Sequence, residues 1–184
     1  MPLPSLRPAV FLDRDGTLNA AIIRAGRPYP PATVDEFRLL DGVAANCTRL
    51  KSAGYILVVA TNQPDVGRGS QTRDAVEAIH ARLSELIPEI DLIQVCYHGG
   101  TDHGQSCPCR KPKPGMLSDA AHRLGLDLKR SWMVGDRWRD VDCGHAAGCR
   151  TIFIDWGYDE KLRTRPDFVV KTLAEATGII LAQP

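Results

Sequence analysis

Ala9-Val10-Phe11-Leu12 runs straight into Asp13-Arg14-Asp15-Gly16-Thr17-Leu18-Asn19, and that junction narrows the possible folds more than any other stretch. A short apolar run closed by a polar, glycine-containing turn reads as a buried strand. Asp13 then falls at the strand's carboxyl end, where open α/β sheets bind their ligands. Two carboxylates one residue apart repel each other unless a cation joins them or one is protonated. A purely structural turn gains nothing from that cost. A site in which one carboxylate attacks and the other moves a proton does.

The remainder of the chain alternates in type. Gly42–Ala53 has Val43, Cys47 and Leu50 near helical spacing, with Gly54 as a stop. Tyr55–Ala60 is a continuous apolar run, as in a strand covered on both faces. Thr72–Ile87 places Val76, Ile79, Leu83 and Leu86 on one helical face. Strands are expected at Leu92–Cys96, Ser131–Val134, Thr151–Ile154 and Asp167–Val169, and helices at Met116–Leu124, Val141–Ala147 and Leu173–Leu181. The stretches 20–35 and 98–115 read as loops. This alternation predicts a parallel α/β sheet with helices on both faces. At 184 residues, without linker, repeat or low-complexity tract, residues 1–184 are expected to form a single domain.

Composition excludes several classes. With 23 basic and 22 acidic residues the formal net charge is +1, and aromatic residues make up 6%. Neither a basic field nor a stacking surface argues for nucleic acid. No segment is long and apolar enough to span a membrane, and no signal peptide is recognisable. A cytoplasmic location is therefore expected, and a monomer. In that compartment thiols stay reduced, so the six cysteines read as metal ligands or buried thiols. Cys96-Tyr97-His98 and Cys107-Pro108-Cys109 supply three thiolates and an imidazole, with His103 as the alternative to His98, a tetrahedral zinc set that would staple a loop too polar to fold alone. All four positions being filled, such a zinc would be structural. Cys47, Cys143 and Cys149 read as buried thiols.

Four motifs each follow a strand, so their loops can converge at one sheet edge. They are Asp13-Arg14-Asp15, Thr61-Asn62-Gln63, Arg110-Lys111-Pro112-Lys113-Pro114-Gly115 and Gly135-Asp136-Arg137-Trp138-Arg139-Asp140. Two acids, a hydroxyl, a lysine and a further acid, in this order, resemble the haloacid dehalogenase superfamily from Val10 to about Val170. The second acid, Asp15, is similar to that of the superfamily's phosphatases and phosphotransferases, which use it where the dehalogenases lack it.

The resemblance implies a three-layer Rossmann-like parallel sheet of the haloacid dehalogenase type, without a large cap domain. It implies that Asp13 is a nucleophile forming an aspartyl-phosphate and Asp15 a general acid and base. Thr61 and Asn62 would hold phosphoryl oxygens, and Lys111 would offset their charge. Mg²⁺ would be held by Asp13, the Asp15 main-chain carbonyl and Asp136. Asp140 would orient Lys111 or a metal-bound water, or cap the following helix. Cys-x-His and Cys-x-Cys directly before Arg-Lys-Pro are similar to two branches of the superfamily, the heptose-bisphosphate and the histidinol-phosphate phosphatases. The Pro-Gly-Met ending at 114–116 and Gly67-Arg68-Gly69 look like the heptose branch. That branch implies a small phosphorylated sugar as substrate, D-glycero-D-manno-heptose 1,7-bisphosphate cleaved at the 7-position, with Gln63, Arg110 and Arg137 as further substrate-binding residues. The chain departs from the branch at Ala20-Ala21-Ile22-Ile23-Arg24, at Pro64-Asp65 and at Tyr97.

Overall fold

The computed structural model describes residues 6–25 and 27–183. In chain order its strands and helices are β1 (Ala9–Leu12), β2 (Ile22–Arg24), β3 (Arg27–Tyr29), α1 (Val43–Ser52), β4 (Ile56–Asn62), α2 (Pro64–Gly67), α3 (Arg73–Leu86), β5 (Leu92–Cys96), α4 (Gly115–Leu124), β6 (Trp132–Gly135), α5 (Trp138–Ala147), β7 (Arg150–Ile154), β8 (Phe168–Val170) and α6 (Leu173–Ala182). Six strands form one sheet in the order β5-β4-β1-β6-β7-β8, every pair parallel.

The continuous apolar runs follow from burial on both faces. Val10 and Leu12 join Leu57, Val59 and Val134 in a layer with Cys47 and Leu50 of α1, Ile79 and Leu83 of α3, and Ile180 of α6. Ala9 and Phe11 point the other way, into a layer with Val58, Met133, Met116 and Leu117 of α4 and Cys143 of α5. Phe11 is wholly buried, which stabilises the fold by about 1.5–3 kcal/mol relative to an exposed ring. Cys47, Cys143 and Cys149 are buried free thiols.

After β1 the chain moves outward to β4 and β5, then returns to the other side of β1 to lay down β6, β7 and β8. The loops after β1 and β6 therefore leave in opposite directions. They open the crevice in which sheets of this kind bind ligands. The loop ends stay tied, because the Asp13 N–H donates to the Val134 carbonyl at 2.9 Å.

The structure departs from the sequence expectation, or adds to it, in three places. Residues 20–35, expected to be loop, contain the antiparallel ribbon β2–β3, which pairs Ile22 with Tyr29 and Arg24 with Arg27. Pro28 masked it, although a two-stranded ribbon offers the edge positions where proline is tolerated. A short helix, α2, starts at Pro64, whose missing N–H costs nothing at a helix start. α5 begins at Trp138 rather than Val141, because Asp140 reaches back to accept the Arg137 N–H at 3.0 Å.

Candidate active site

Asp13 closes β1, Asp136 closes β6, Thr61 and Asn62 end β4, and Lys111 comes from the proline-rich segment before α4. All line one cleft of about 830 Å³. The β2–β3 ribbon supplies one wall through Ala25, Pro28 and Tyr29. Tyr158, Asp159 and Glu160 supply another, and Arg68, Arg110, Arg137 and Arg139 also face it.

The centre is a buried charge cluster. Lys111 Nζ lies 2.8 Å from Asp13 Oδ1 and 2.6 Å from Asp140 Oδ1. Carboxylate oxygens of Asp13, Asp136 and Asp140 lie within 4.8 Å of one another. Burial pushes the Asp13 carboxyl up to about 6, Lys111 pulling it back and Asp140 pushing it further. Burial also holds Asp136 well above the usual carboxylate range, with Asp13 and Asp140 adding to the effect. Burial alone would lower the Lys111 ammonium, but Asp13 and Asp140 outweigh it and hold it above its ordinary value. Three acids therefore share one cation.

Both Asp136 oxygens are buried and without a hydrogen-bond partner. A buried carboxylate in that condition is costly unless a cation joins it. The two Asp140 oxygens are committed, one to Lys111 and the other to the start of α5. The donor set left for a hard divalent ion is thus Asp13 and Asp136, oxygen ligands of the kind magnesium selects. Gly16 makes the approach possible: at φ +86° it lies so near Asp136 that a Cβ would sit 1.9 Å from Oδ2. The Gly16 carbonyl accepts the indole N–H of Trp156 at 2.7 Å, fastening the segment after β7 to the loop after β1.

The other expected site residues take distinct positions. Asp15 accepts from Arg14, from Asn19 Nδ2 at 3.0 Å and from Gln63 Nε2 at 2.8 Å. Gln63, expected to bind substrate, is instead buried off the cleft wall, where its amide bridges Asp15 and the Thr61 hydroxyl. The Asn62 carboxamide is spent on the Lys111 backbone, donating to its carbonyl and accepting its N–H, both at 3.1 Å. It thereby positions Lys111. Arg110 reaches the cleft while donating to the His98 carbonyl at 3.2 Å. Arg137 faces the cleft but is paired with Glu160 through two bonds of 2.6 and 2.8 Å.

Beside the cleft the four expected zinc ligands converge. Cys96 Sγ lies 3.5 Å from His98 Nδ1 and 3.6 Å from Cys107 Sγ, and Cys109 Sγ lies 3.4 Å from His98 Nδ1. A tetrahedral ion with bonds of about 2.3 Å to sulfur and 2.0 Å to nitrogen sets its ligand atoms about 3.4–3.8 Å apart, so the cluster fits zinc. This loop is locked to α2: Gln105 donates to the Gly67 carbonyl and accepts the Gly99 N–H. A Cβ at Gly67 would stand 2.4 Å from the Gly99 nitrogen, so only glycine permits this contact.

Arg14, His80, Trp156, Tyr158 and Glu160 were not singled out by sequence. Arg14 sits between two acids, and its place in the chain carries no signal of burial. His80 falls beside Ile79 on the apolar face of α3, where burial was legible but not its partner. Nothing near Glu160 announces its pairing with Arg137.

A parallel sheet with an acid at the end of each of two neighbouring strands, and a lysine bonded to the first, defines a haloacid dehalogenase-like hydrolase. The HAD-hydrolase-like family model matches residues 108–176. The D-glycero-beta-D-manno-heptose-1,7-bisphosphate 7-phosphatase of Pseudomonas aeruginosa is 36% identical over 164 residues, 87% of this chain and 88% of that protein. The enzyme of the same name from Escherichia coli K12 is 34% identical over 187 residues, 96% of this chain and 95% of that one. The solved D,D-heptose 1,7-bisphosphate phosphatase from B. bronchiseptica, complexed with magnesium and phosphate, superimposes with a TM-score of 0.79 at 30% identity. That alignment covers 96% of this chain and 99% of the other. The chain belongs to the family of D-glycero-D-manno-heptose-1,7-bisphosphate 7-phosphatases within the haloacid dehalogenase-like hydrolases.

Proposed function

We propose that the protein is a Mg²⁺-dependent phosphatase that removes the 7-phosphate of D-glycero-D-manno-heptose 1,7-bisphosphate through an aspartyl-phosphate. The carrying observation is the cluster of Asp13 on Lys111 beside an Asp136 whose buried oxygens have no partner. The relatives' named substrate and the magnesium and phosphate bound to a solved relative support this reading.

Asp13 attacks phosphorus, forming an O–P bond as the bond to the sugar oxygen breaks. Asp15 gives its proton to that leaving oxygen, then takes one from the water whose oxygen displaces Asp13 from phosphorus. Lys111 holds Asp13 in place and offsets charge on the phosphoryl oxygens, to which Thr61 adds its hydroxyl. Magnesium, held by Asp13, Asp136 and the Asp15 main-chain carbonyl, would supply further neutralisation of the phosphoryl group. Arg110, on the cleft wall, faces the far anionic end of the substrate. The roomy, uncapped cleft suits an extended polar sugar, and the ribbon β2–β3 forms one wall that would touch it. A structural zinc on Cys96, His98, Cys107 and Cys109 would hold the segment that delivers Arg110 and Lys111. No described helix is long and apolar enough to cross a membrane.

The test is phosphate release from heptose 1,7-bisphosphate, other sugar mono- and bisphosphates and histidinol phosphate, with Mg²⁺. The heptose bisphosphate should give the highest kcat/KM, and Asp13→Asn should abolish release. Undiminished activity in that variant would reject the mechanism, and a preference for histidinol phosphate would reject the substrate.

A further inference from the structure

The arginine between the two acids is the least expected residue of the site. Its side chain has no solvent exposure. Nε donates to Asp15 Oδ1 at 3.1 Å, and one terminal nitrogen donates to Asp15 Oδ1 at 3.1 Å and Oδ2 at 2.9 Å. The other terminal nitrogen meets His80 Nε2 at 2.9 Å. A guanidinium only donates, so His80 Nε2 accepts and the ring is neutral with its proton on Nδ1. That atom lies 3.5 Å from Glu77 Oε2 on the same helix. The neighbouring Glu77 oxygen takes the hydroxyl of Tyr97, which sits between zinc-loop residues Cys96 and His98. Polar groups thus stand in a row from α3 to the carboxylate of Asp15, hydrogen-bonded from His80 through Arg14 to Asp15, while His80 Nδ1 itself has no hydrogen-bond partner.

We propose that Arg14 is a positioning residue for Asp15, and that His80 of α3 is the anchor that holds Arg14. This rests on the phosphatase reading and adds to it the source of the acid's orientation. Asp15 lies at the cleft lip, where a short side chain would otherwise turn about its own bonds. Two-point contact with a planar, buried guanidinium fixes the plane of its carboxylate. Asn19 and Gln63 complete the grip. The guanidinium is itself fixed because its remaining nitrogen meets a ring carried by a packed helix of 14 residues. Oδ1 accepts three N–H groups and Oδ2 two. Misplacing a catalytic group by about 1 Å costs on the order of 100-fold in rate, so the row behind Asp15 has a direct kinetic consequence.

The experiment compares two esters with Mg²⁺ present. The heptose bisphosphate releases an alkoxide that needs the Asp15 proton. p-Nitrophenyl phosphate releases a phenolate that leaves without one. kcat/KM ends at formation of the aspartyl-phosphate, so it reads the acid step and excludes the later hydrolysis. Hydrolysis of p-nitrophenyl phosphate by the unaltered chain tests the phosphatase reading by itself. Arg14→Lys should lower kcat/KM for the heptose ester by about 30- to 100-fold and for the aryl ester by less than about 3-fold. His80→Leu, which removes the acceptor, should lower the heptose value by about 10-fold, and His80→Gln, which restores one, should bring it back to within about 3-fold. If Arg14→Lys does not fold, the His80 pair carries the test. Equal losses on both esters, or no loss on the heptose ester, would overturn the proposal.

Discussion

Asp140 holds Lys111 with one oxygen, at 2.6 Å, and the start of α5 with the other. One residue thereby aims the site's buried ammonium and anchors the helix that follows Asp136. Removing one partner of a buried pair costs about 3–5 kcal/mol, and losing a helix cap adds about 1 kcal/mol. Asp140→Ala is therefore expected to lower Tm clearly and kcat by at least about 10-fold. Asp140→Asn, which can still accept the Arg137 N–H, should recover part of the stability and little of the activity. Thermal unfolding alongside steady-state kinetics checks both.

The acid cluster predicts a pH-dependent response to magnesium. Asp13 is raised from 3.8 to about 6 in the fold, so the folded, metal-free protein holds its proton more tightly than the unfolded chain. That contribution to stability is fully present below pH 3.8 and is lost as pH rises through about 6. Asp136, also raised, acts in the same direction. His80, which burial lowers from 6.5 to about 4 with Arg14 adding to the effect, acts in the opposite sense: its contribution is present above 6.5 and lost as pH falls through about 4. Magnesium binds the ionised acids, so the rise in Tm it causes should grow from pH 4 to 7. Melting curves with Mg²⁺ and with a chelator isolate the carboxylates from His80.

Asp136→Asn should raise the Tm of the metal-free protein, because it removes a buried carboxylate with no partner. It should also abolish the Mg²⁺-dependent shift and lower activity by at least about 100-fold. The same melting curves, repeated on this variant, check the prediction.

Zinc should be present at about one equivalent in protein purified without added metal, measured by elemental analysis. Cys107→Ser or Cys109→Ser should lose that zinc and open residues 97–110 to proteolysis. Activity should fall with it, since the same segment delivers Arg110 and Lys111.

Arg110→Ala should raise KM for the heptose bisphosphate by about 10-fold while kcat stays within about 3-fold, because Arg110 lines the cleft without a bond to the Asp13, Lys111 and Asp140 cluster. A 7-monophosphate should show a smaller change. Initial-rate kinetics on the two esters decide it.

The central strands and the motif residues at their ends were legible because burial on two faces and polar interruption are both local patterns. Asp13, Thr61, Lys111 and Asp136 do line one cleft. The cluster of Cys96, His98, Cys107 and Cys109 was legible for a similar reason, as two tight pairs flank a polar loop. The ribbon β2–β3 was not, because its apolar signal is brief and Pro28 interrupts it.

Sequence by itself determined the sheet type, the acid pair and the candidate metal ligands, since each rests on residues close together in the chain. Only the tertiary structure decided what each side chain does. It turned Gln63 from the cleft to Asp15, spent Asn62 on the Lys111 backbone and tied Arg137 to Glu160. It also buried Arg14 between Asp15 and His80, 66 positions away along the chain. A hydrogen bond depends on distance and direction in space, and no spacing along the chain encodes which donor will meet which acceptor once the sheet has closed.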